Sequence, residues 1–168
     1  MTIWPEKMII FLGNRTGFVE KIIKGIGVDK CPQFIYDYGM IADYQNVDDC
    51  LSACDASTPK LHTIRVDQNK RWKPGMKIHF KIWTGKPYKS KTFDFAPLTE
   101  CVSIQEIRIE HDTSNLWPPV YIDNKLMSIG QIEKLAINDG FNDLRHFYSY
   151  FNENFTGRII HWTNLKYE

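Results

Sequence analysis

The sequence predicts an α+β fold, a small and strongly bent antiparallel or mixed β-barrel of about six strands flanked by about two to four helices. Three observations lead there. Short β-type runs follow one another from Leu61 to Asp123, separated by turn chemistry at Lys73-Pro-Gly75, Thr84-Gly-Lys-Pro87 and Trp117-Pro-Pro119. Helical stripes stand before and after this block instead of alternating with it. A chain of 168 residues, 43% hydrophobic and 14% aromatic, is long enough to bury the core of one domain spanning residues 1–168.

In chain order, Lys7-Met-Ile-Ile-Phe-Leu12 reads as a first strand. Asn14 or Thr16 is placed to cap a helix over Gly17–Lys24 that stops at Gly25, with Phe18, Ile22 and Ile23 as its buried stripe. Residues 26–59 carry glycines, Pro32, Pro59, several Asp and scattered Tyr without a sustained period, and read as an insertion with a short helix near Val47–Ala53. Strands are expected at 61–66, 76–84, 91–96, 99–110 and 118–123. Ser128-Ile-Gly-Gln131 fits a capping box for a helix ending at Asp139-Gly140. A second helix begins near Asn142, where Leu144, Phe147, Tyr148 and Phe151 fall at i, i+3, i+4 and i+7. Gly157–Thr163 reads as a closing strand.

No apolar run approaches a membrane span, and Met1–Lys7 lacks the basic-then-apolar layout of a signal peptide, so a cytoplasmic protein without a membrane partner is expected. Net charge is +1, which gives no global pull toward nucleic acid. The charge is unevenly placed, however. From Lys60 to Lys91 stand ten Lys and Arg residues against one acid, Asp67. Such a segment suits a polyanion or a phosphate-bearing ligand, or else the lysine-rich outer face of a twisted sheet. Cys50-x-x-x-Cys54, with Cys31 and His62, has a spacing zinc can use, but a second close pair is missing, so reduced thiols and no metal are expected. No cofactor is expected either.

The chemistry concentrates at Pro59-Lys-Leu-His-Thr-Ile-Arg65. Alternation puts Thr63 and Arg65 on one strand face with Ile64 on the other, and the long stem of Lys60 reaches the same side. Cations beside a hydroxyl can hold an anion or a polarised carbonyl, although a solvated strand end reads the same way. Arg71, Trp72, Lys73, His79, Trp83 and Tyr88 interleave basic, aromatic and imidazole groups. That is the pattern of an RNA platform, and equally of a hairpin with cross-strand aromatic pairs. His161-Trp162 is suited either to stacking on a base or to the core.

These residues resemble the ASCH-domain family, which shares the PUA-like β-barrel. Its pattern is a helix ending in Gly, a lysine, Thr-x-Arg, and a strand opened by a Pro-Gly or Lys-x-Gly turn. Here Gly25, Lys60, Thr63, Arg65, Trp72, Lys73 and Gly75 follow that order, interrupted by the 26–59 insertion. Asp139-Gly140-Phe141 and Gly157-x-Ile-Ile-His-Trp162 are similar to the family's acidic residue and closing strand. The resemblance implies a cleft facing RNA, a nucleotide or a modified nucleobase. It also implies, as an alternative, an amidohydrolase that removes the acetyl group from N-acetylated cytidine through a lysine, a threonine and a carboxylate. These correspond to Lys60, Thr63 and Asp139, where the family's branch has the longer glutamate. In such a reaction Thr63 would attack or position water, Lys60 would act as base if neutral or hold the oxyanion if charged, and Asp139 would orient Lys60 or pass a proton. The insertion is a departure from the pattern, and it offers a surface for a protein partner.

Overall fold

A computed structural model describes residues 2–3, 10–11, 14–42, 44–111 and 117–168. The strands are β1 (Thr2–Ile3), β2 (Ile10–Phe11), β3 (Asn14–Arg15), β4 (His62–Arg65), β5 (Lys77–Ile78), β6 (Lys81–Trp83), β7 (Thr92–Asp94), β8 (Thr99–Glu100), β9 (Ser103–Ile109), β10 (Val120–Ile122), β11 (Lys125–Leu126) and β12 (Phe155–His161). The helices are α1 (Phe18–Ile26), α2 (Pro32–Ile41), α3 (Val47–Ala56), α4 (Ile129–Asn138) and α5 (Leu144–Tyr150), with a single 3-10 turn at Val28–Lys30. The chain is α+β, and its contacts divide it into two compact units.

The first unit comprises residues 1–60 and 77–99. Val19, Ile22 and Ile23 of α1 are fully buried, as the apolar spacing predicts. No side chain caps this helix: Gly17 occupies the N-cap with φ 60°, and Thr16 Oγ1 has no hydrogen-bond partner. The helix continues through Gly25 to Ile26. Gly25 serves close approach, since a Cβ there would lie 2.1 Å from the Lys60 carbonyl oxygen. The insertion contains two helices, not one. α2 escaped notice because its apolar spacing is weak, yet Pro32 at its first turn is a legible start signal. α3 extends to Ala56 and is capped by Asn46 Oδ1, which accepts the Asp49 N–H at 2.9 Å. The strand expected at 76–84 is broken. Lys81–Trp83 pairs with β1 and β7, and that ladder does not reach back to β5. Of the expected strand at 7–12, only Ile10–Phe11 lies within the described residues.

The second unit comprises residues 61–76 and 100–168. Its five-stranded antiparallel sheet has the order β11-β10-β9-β12-β4. The hairpin joining β10 to β11 turns on Asp123 and Asn124, both with positive φ. That is the backbone of a two-residue hairpin turn, and Asp and Asn adopt it more readily than most residues. The capping box forms as the sequence predicts: Ser128 Oγ accepts the Gln131 N–H while Gln131 Oε1 accepts the Ser128 N–H. At the other end of α4 the Phe141 N–H reaches the Ala136 carbonyl and the Gly140 N–H reaches Ile137, with Gly140 at φ 92°. This Schellman turn fixes Asp139 as the last residue before the chain reverses. Ile107, Ile109, Ile122 and Ile159 on one sheet face pack with Leu135 of α4 and Phe147 and Phe151 near α5 into one core.

Candidate functional site

Cross-strand partners share a sheet face, so the register of the five-stranded sheet sorts its residues. Thr63 pairs with Ile160, which pairs with Ile104. Arg65 pairs with Arg158, which pairs with Glu106. Thr63, Arg65, Arg158, Ile104 and Glu106 therefore occupy the face opposite the isoleucine core. On that face an open cavity of about 440 Å3 is lined by Lys70, Trp72, Lys73, Pro74, Ile104, Glu106, Asp123 and Arg158. The volume lies within the range of small-ligand pockets.

One carboxylate shapes the cavity wall. Asp67 is buried, and its two oxygens accept the backbone N–H groups of Arg71 at 2.9 Å and Trp72 at 3.1 Å. An aspartate opening a turn makes such bonds routinely, so this signal was legible in Asp67-Gln-Asn-Lys70. Arg158 Nη1 lies 3.6 Å from Asp67 Oδ2 and donates to the Trp72 carbonyl at 3.3 Å. Burial alone would raise the Asp67 pKa, but the two N–H groups and the nearby arginines outweigh it and hold the carboxyl below its usual range. The Trp72 backbone is thus pinned at both its N–H and its C=O, and the half-buried residue lines the cavity. Glu106 Oε1 lies 3.5 Å from Lys70 and 3.8 Å from Arg158. Asp123 is taken up by the Gln105 amide at 2.9 Å and the Glu106 N–H at 2.8 Å. Lys73 is exposed and, among the described residues, makes no salt bridge.

Of the predicted site residues, Trp72 and Lys73 line this cavity, while Arg71 is not among its lining residues and its N–H is bonded to Asp67. Arg65 lies in register beside Arg158 on the same face. Burial lowers its pKa, against the opposing pull of Asp139 and Tyr150. Asp139 is buried, and its Oδ1 accepts the Ile64 N–H at 3.0 Å and lies 3.4 Å from His62 Nδ1. Lys60, His79, Trp83 and Tyr88 belong to the first unit. There the buried Lys60 ammonium stands 5.0 Å above the Phe18 ring, His79 is exposed, and Trp83 and Tyr88 pair as rings 5.3 Å apart. Tyr88 is 86% exposed at φ 62°. Arg158, Glu106 and Asp123 escaped the sequence reading, because strand parity becomes informative only once the register is known.

Comparison of the chain with protein-family models, with curated proteins and with solved structures returns no match. Its function rests on its own geometry. Among the described residues no group of three or more His, Cys, Asp or Glu is arranged to hold a metal ion, and no helix is long and apolar enough to cross a membrane. Cys31, Cys50, Cys54 and Cys101 are buried free thiols.

The core face of the same sheet ends in a second polar group that the sequence reading did not assemble. His62 and His161 are opposite one another in register, fully buried, with ring centroids 5.3 Å apart. Asn138 Nδ2 donates to the Tyr167 hydroxyl at 3.0 Å, and that hydroxyl meets His62 Nε2 at 2.7 Å. The Tyr167 proton is then directed to His62 Nε2, which leaves the His62 proton on Nδ1, facing Asp139. Burial pushes the Tyr167 pKa up, so this hydroxyl keeps its proton. Burial, helped by His62 and Lys166, pushes His161 down to about 3, so His161 is neutral near pH 7.

Proposed function

We propose that this chain is a binding module of the ASCH type, built on a PUA-like barrel, and that it holds RNA or a nucleotide-like ligand in the Trp72 cavity. The observation that carries this reading is that one open cavity of about 440 Å3 is lined both by Trp72, whose backbone is held by Asp67 and Arg158, and by Lys73, which among the described residues makes no salt bridge. A base stacks on the indole with about 1–3 kcal/mol, while Lys73, and Lys70 once released from Glu106, receive phosphate oxygens. Arg158 is engaged by Asp67, Glu106 and the Trp72 carbonyl, so it positions the Trp72 backbone. In this reading the protein works in the cytoplasm, and the exposed Tyr36 and Leu51 of α2 and α3 offer a face to a protein partner. The test is a titration of single-stranded RNA followed by tryptophan fluorescence at several salt concentrations. Affinity that falls steeply with salt, with a slope reduced by about one in Lys73→Ala, is expected. Salt-insensitive binding would sink the reading.

A second reading is favoured by Asp139. A buried carboxylate oriented by the Ile64 N–H beside the Thr63 strand is suited to acid–base work. It is an amidohydrolase acting on an acylated nucleoside such as N-acetylated cytidine, in which the second unit would supply Thr63 and Asp139 and the resemblance alone implies Lys60. Turnover by the purified protein that disappears in both Thr63→Ala and Lys60→Ala supports it. Turnover that survives Thr63→Ala removes the nucleophile.

A further inference from the structure

Fully buried polar atoms are nearly always hydrogen-bonded, because leaving one bare costs about 1–3 kcal/mol. His161 breaks this rule twice: the residue is 0% exposed, and neither ring nitrogen has a partner. Its cross-strand neighbour Ser103 is also buried, with an unpartnered hydroxyl. A neutral imidazole offers one donor and one acceptor, and a serine offers one of each. Two neighbouring residues on one face thus present an unused set of mixed donors and acceptors.

An aromatic ring stands against the two histidines. Tyr167 stands edge-on to His62 with centroids 5.5 Å apart, and lies 6.1 Å from His161. Its phenol satisfies His62 and Asn138, but the hydrocarbon part of the ring offers no hydrogen bond to His161. The segment that carries it is held by side chains. The Gln105 amide accepts the Tyr167 N–H at 2.9 Å and donates to the Tyr167 carbonyl at 2.7 Å, and Gln131 Nε2 donates to the Glu168 carbonyl at 3.0 Å. Residues 163–168 contribute no bond to a strand ladder among the described residues. The ring itself packs against the edge of the apolar core, so lifting the strap costs those side-chain bonds and that contact, while the strand ladders stay intact.

We propose that Tyr167 is a built-in plug over a second binding site, and that a flat heteroaromatic ring with nucleobase chemistry displaces it. A nucleobase has the planarity of the phenol and adds N–H donors and ring-nitrogen or carbonyl acceptors along its edge. It can stand against His62 and His161 as Tyr167 does while engaging the His161 nitrogens and the Ser103 hydroxyl, which the plug leaves bare. The site lies on the core face of the sheet and takes a ring without needing a phosphate, so it is separate from the Trp72 cavity.

The plug lowers apparent affinity by the fraction of molecules in which it is lifted. The test is calorimetric titration of the full chain with adenosine, cytidine, guanosine and uridine, after circular dichroism has shown each variant to be folded. Tyr167→Ala is expected to bind at least one nucleoside about tenfold more tightly than the unaltered chain. Tyr167→Phe, which keeps the ring but loses its bonds to His62 and Asn138, is expected to show a smaller gain. Adding His161→Phe should abolish the gain. The proposal is overturned if neither Tyr167 variant gains affinity for any of the four. Should Tyr167→Ala fail to fold, Tyr167→Phe alone decides.

Discussion

One face of the five-stranded sheet carries Ile107, Ile109, Ile122 and Ile159 beneath α4 and α5, whereas the other carries Arg65, Glu106 and Arg158 in one row across three strands. Both faces come from the same strands, alternating residue by residue, yet they use burial differently. The isoleucine face buys stability by removing apolar surface from water, and it confines polar groups to one end, at His62, His161 and Ser103. The charged face holds Arg65 and Arg158 largely buried, with Glu106 more exposed, and the buried Asp67 beside it fixes a loop. The contrast is between two buried polar groups: Asp67 locks the backbone of a cavity-lining residue, whereas His161 has two ring nitrogens without a partner among the described residues and stands beside the Tyr167 ring.

Breaking the apolar side should cost most. Phe147 is fully buried and packs in edge-to-face or tilted contact with Phe141, Tyr148 and Phe151. Phe147→Ala should lose about 3–5 kcal/mol in urea unfolding, because a cavity remains where the ring was. Acid sharpens the contrast next. His161 titrates near its ordinary 6.5 when unfolded and only at about 3 when folded. The unfolded chain therefore binds the proton first as pH falls, and stability drops between those values by up to about 1.4 kcal/mol per pH unit. His161→Phe should flatten that part of the stability profile. Asp67 adds loss of the same sign at lower pH, since its held-down carboxyl stabilises the fold above the usual carboxylate range and ceases to as it becomes protonated.

Asp67→Asn tests the loop lock directly. It removes the charge facing Arg158 and one of the two acceptors for the Arg71 and Trp72 N–H groups, and should cost about 1.5–3 kcal/mol. Its more telling effect is on binding. With the Trp72 backbone no longer held, RNA-dependent quenching should weaken even where the protein remains folded. The smallest effect on stability belongs to Lys73→Ala, within about 0.5 kcal/mol, because an exposed ammonium without a partner supports nothing. Its effect should appear only in the salt dependence of binding. If Lys73→Ala unfolded the protein, the division of labour between the two faces would be wrong.

Much of this was decided locally and was legible in the chain. Ser128 and Gln131 close their capping box, Asp139-Gly140-Phe141 makes the helix stop, and the stripe of Phe147, Tyr148 and Phe151 is buried, because each depends on residues within one or two turns of each other. Trp72 and Lys73, expected as ligand contacts because they stand together beside a turn, both line the open cavity. Pairing across the sheet was not legible. Nothing along the chain says that Arg158 stands beside Arg65, that Ser103 faces His161, or that Tyr167 reaches His62 over 105 positions. The sequence by itself determined the α+β composition, both ends of α4 and the basic, aromatic loop, since local sterics and periodicity suffice for those. Only the tertiary structure decided which side chains share a face and which polar groups are left bare, because register and burial are set by the summed packing of strands distant in the chain.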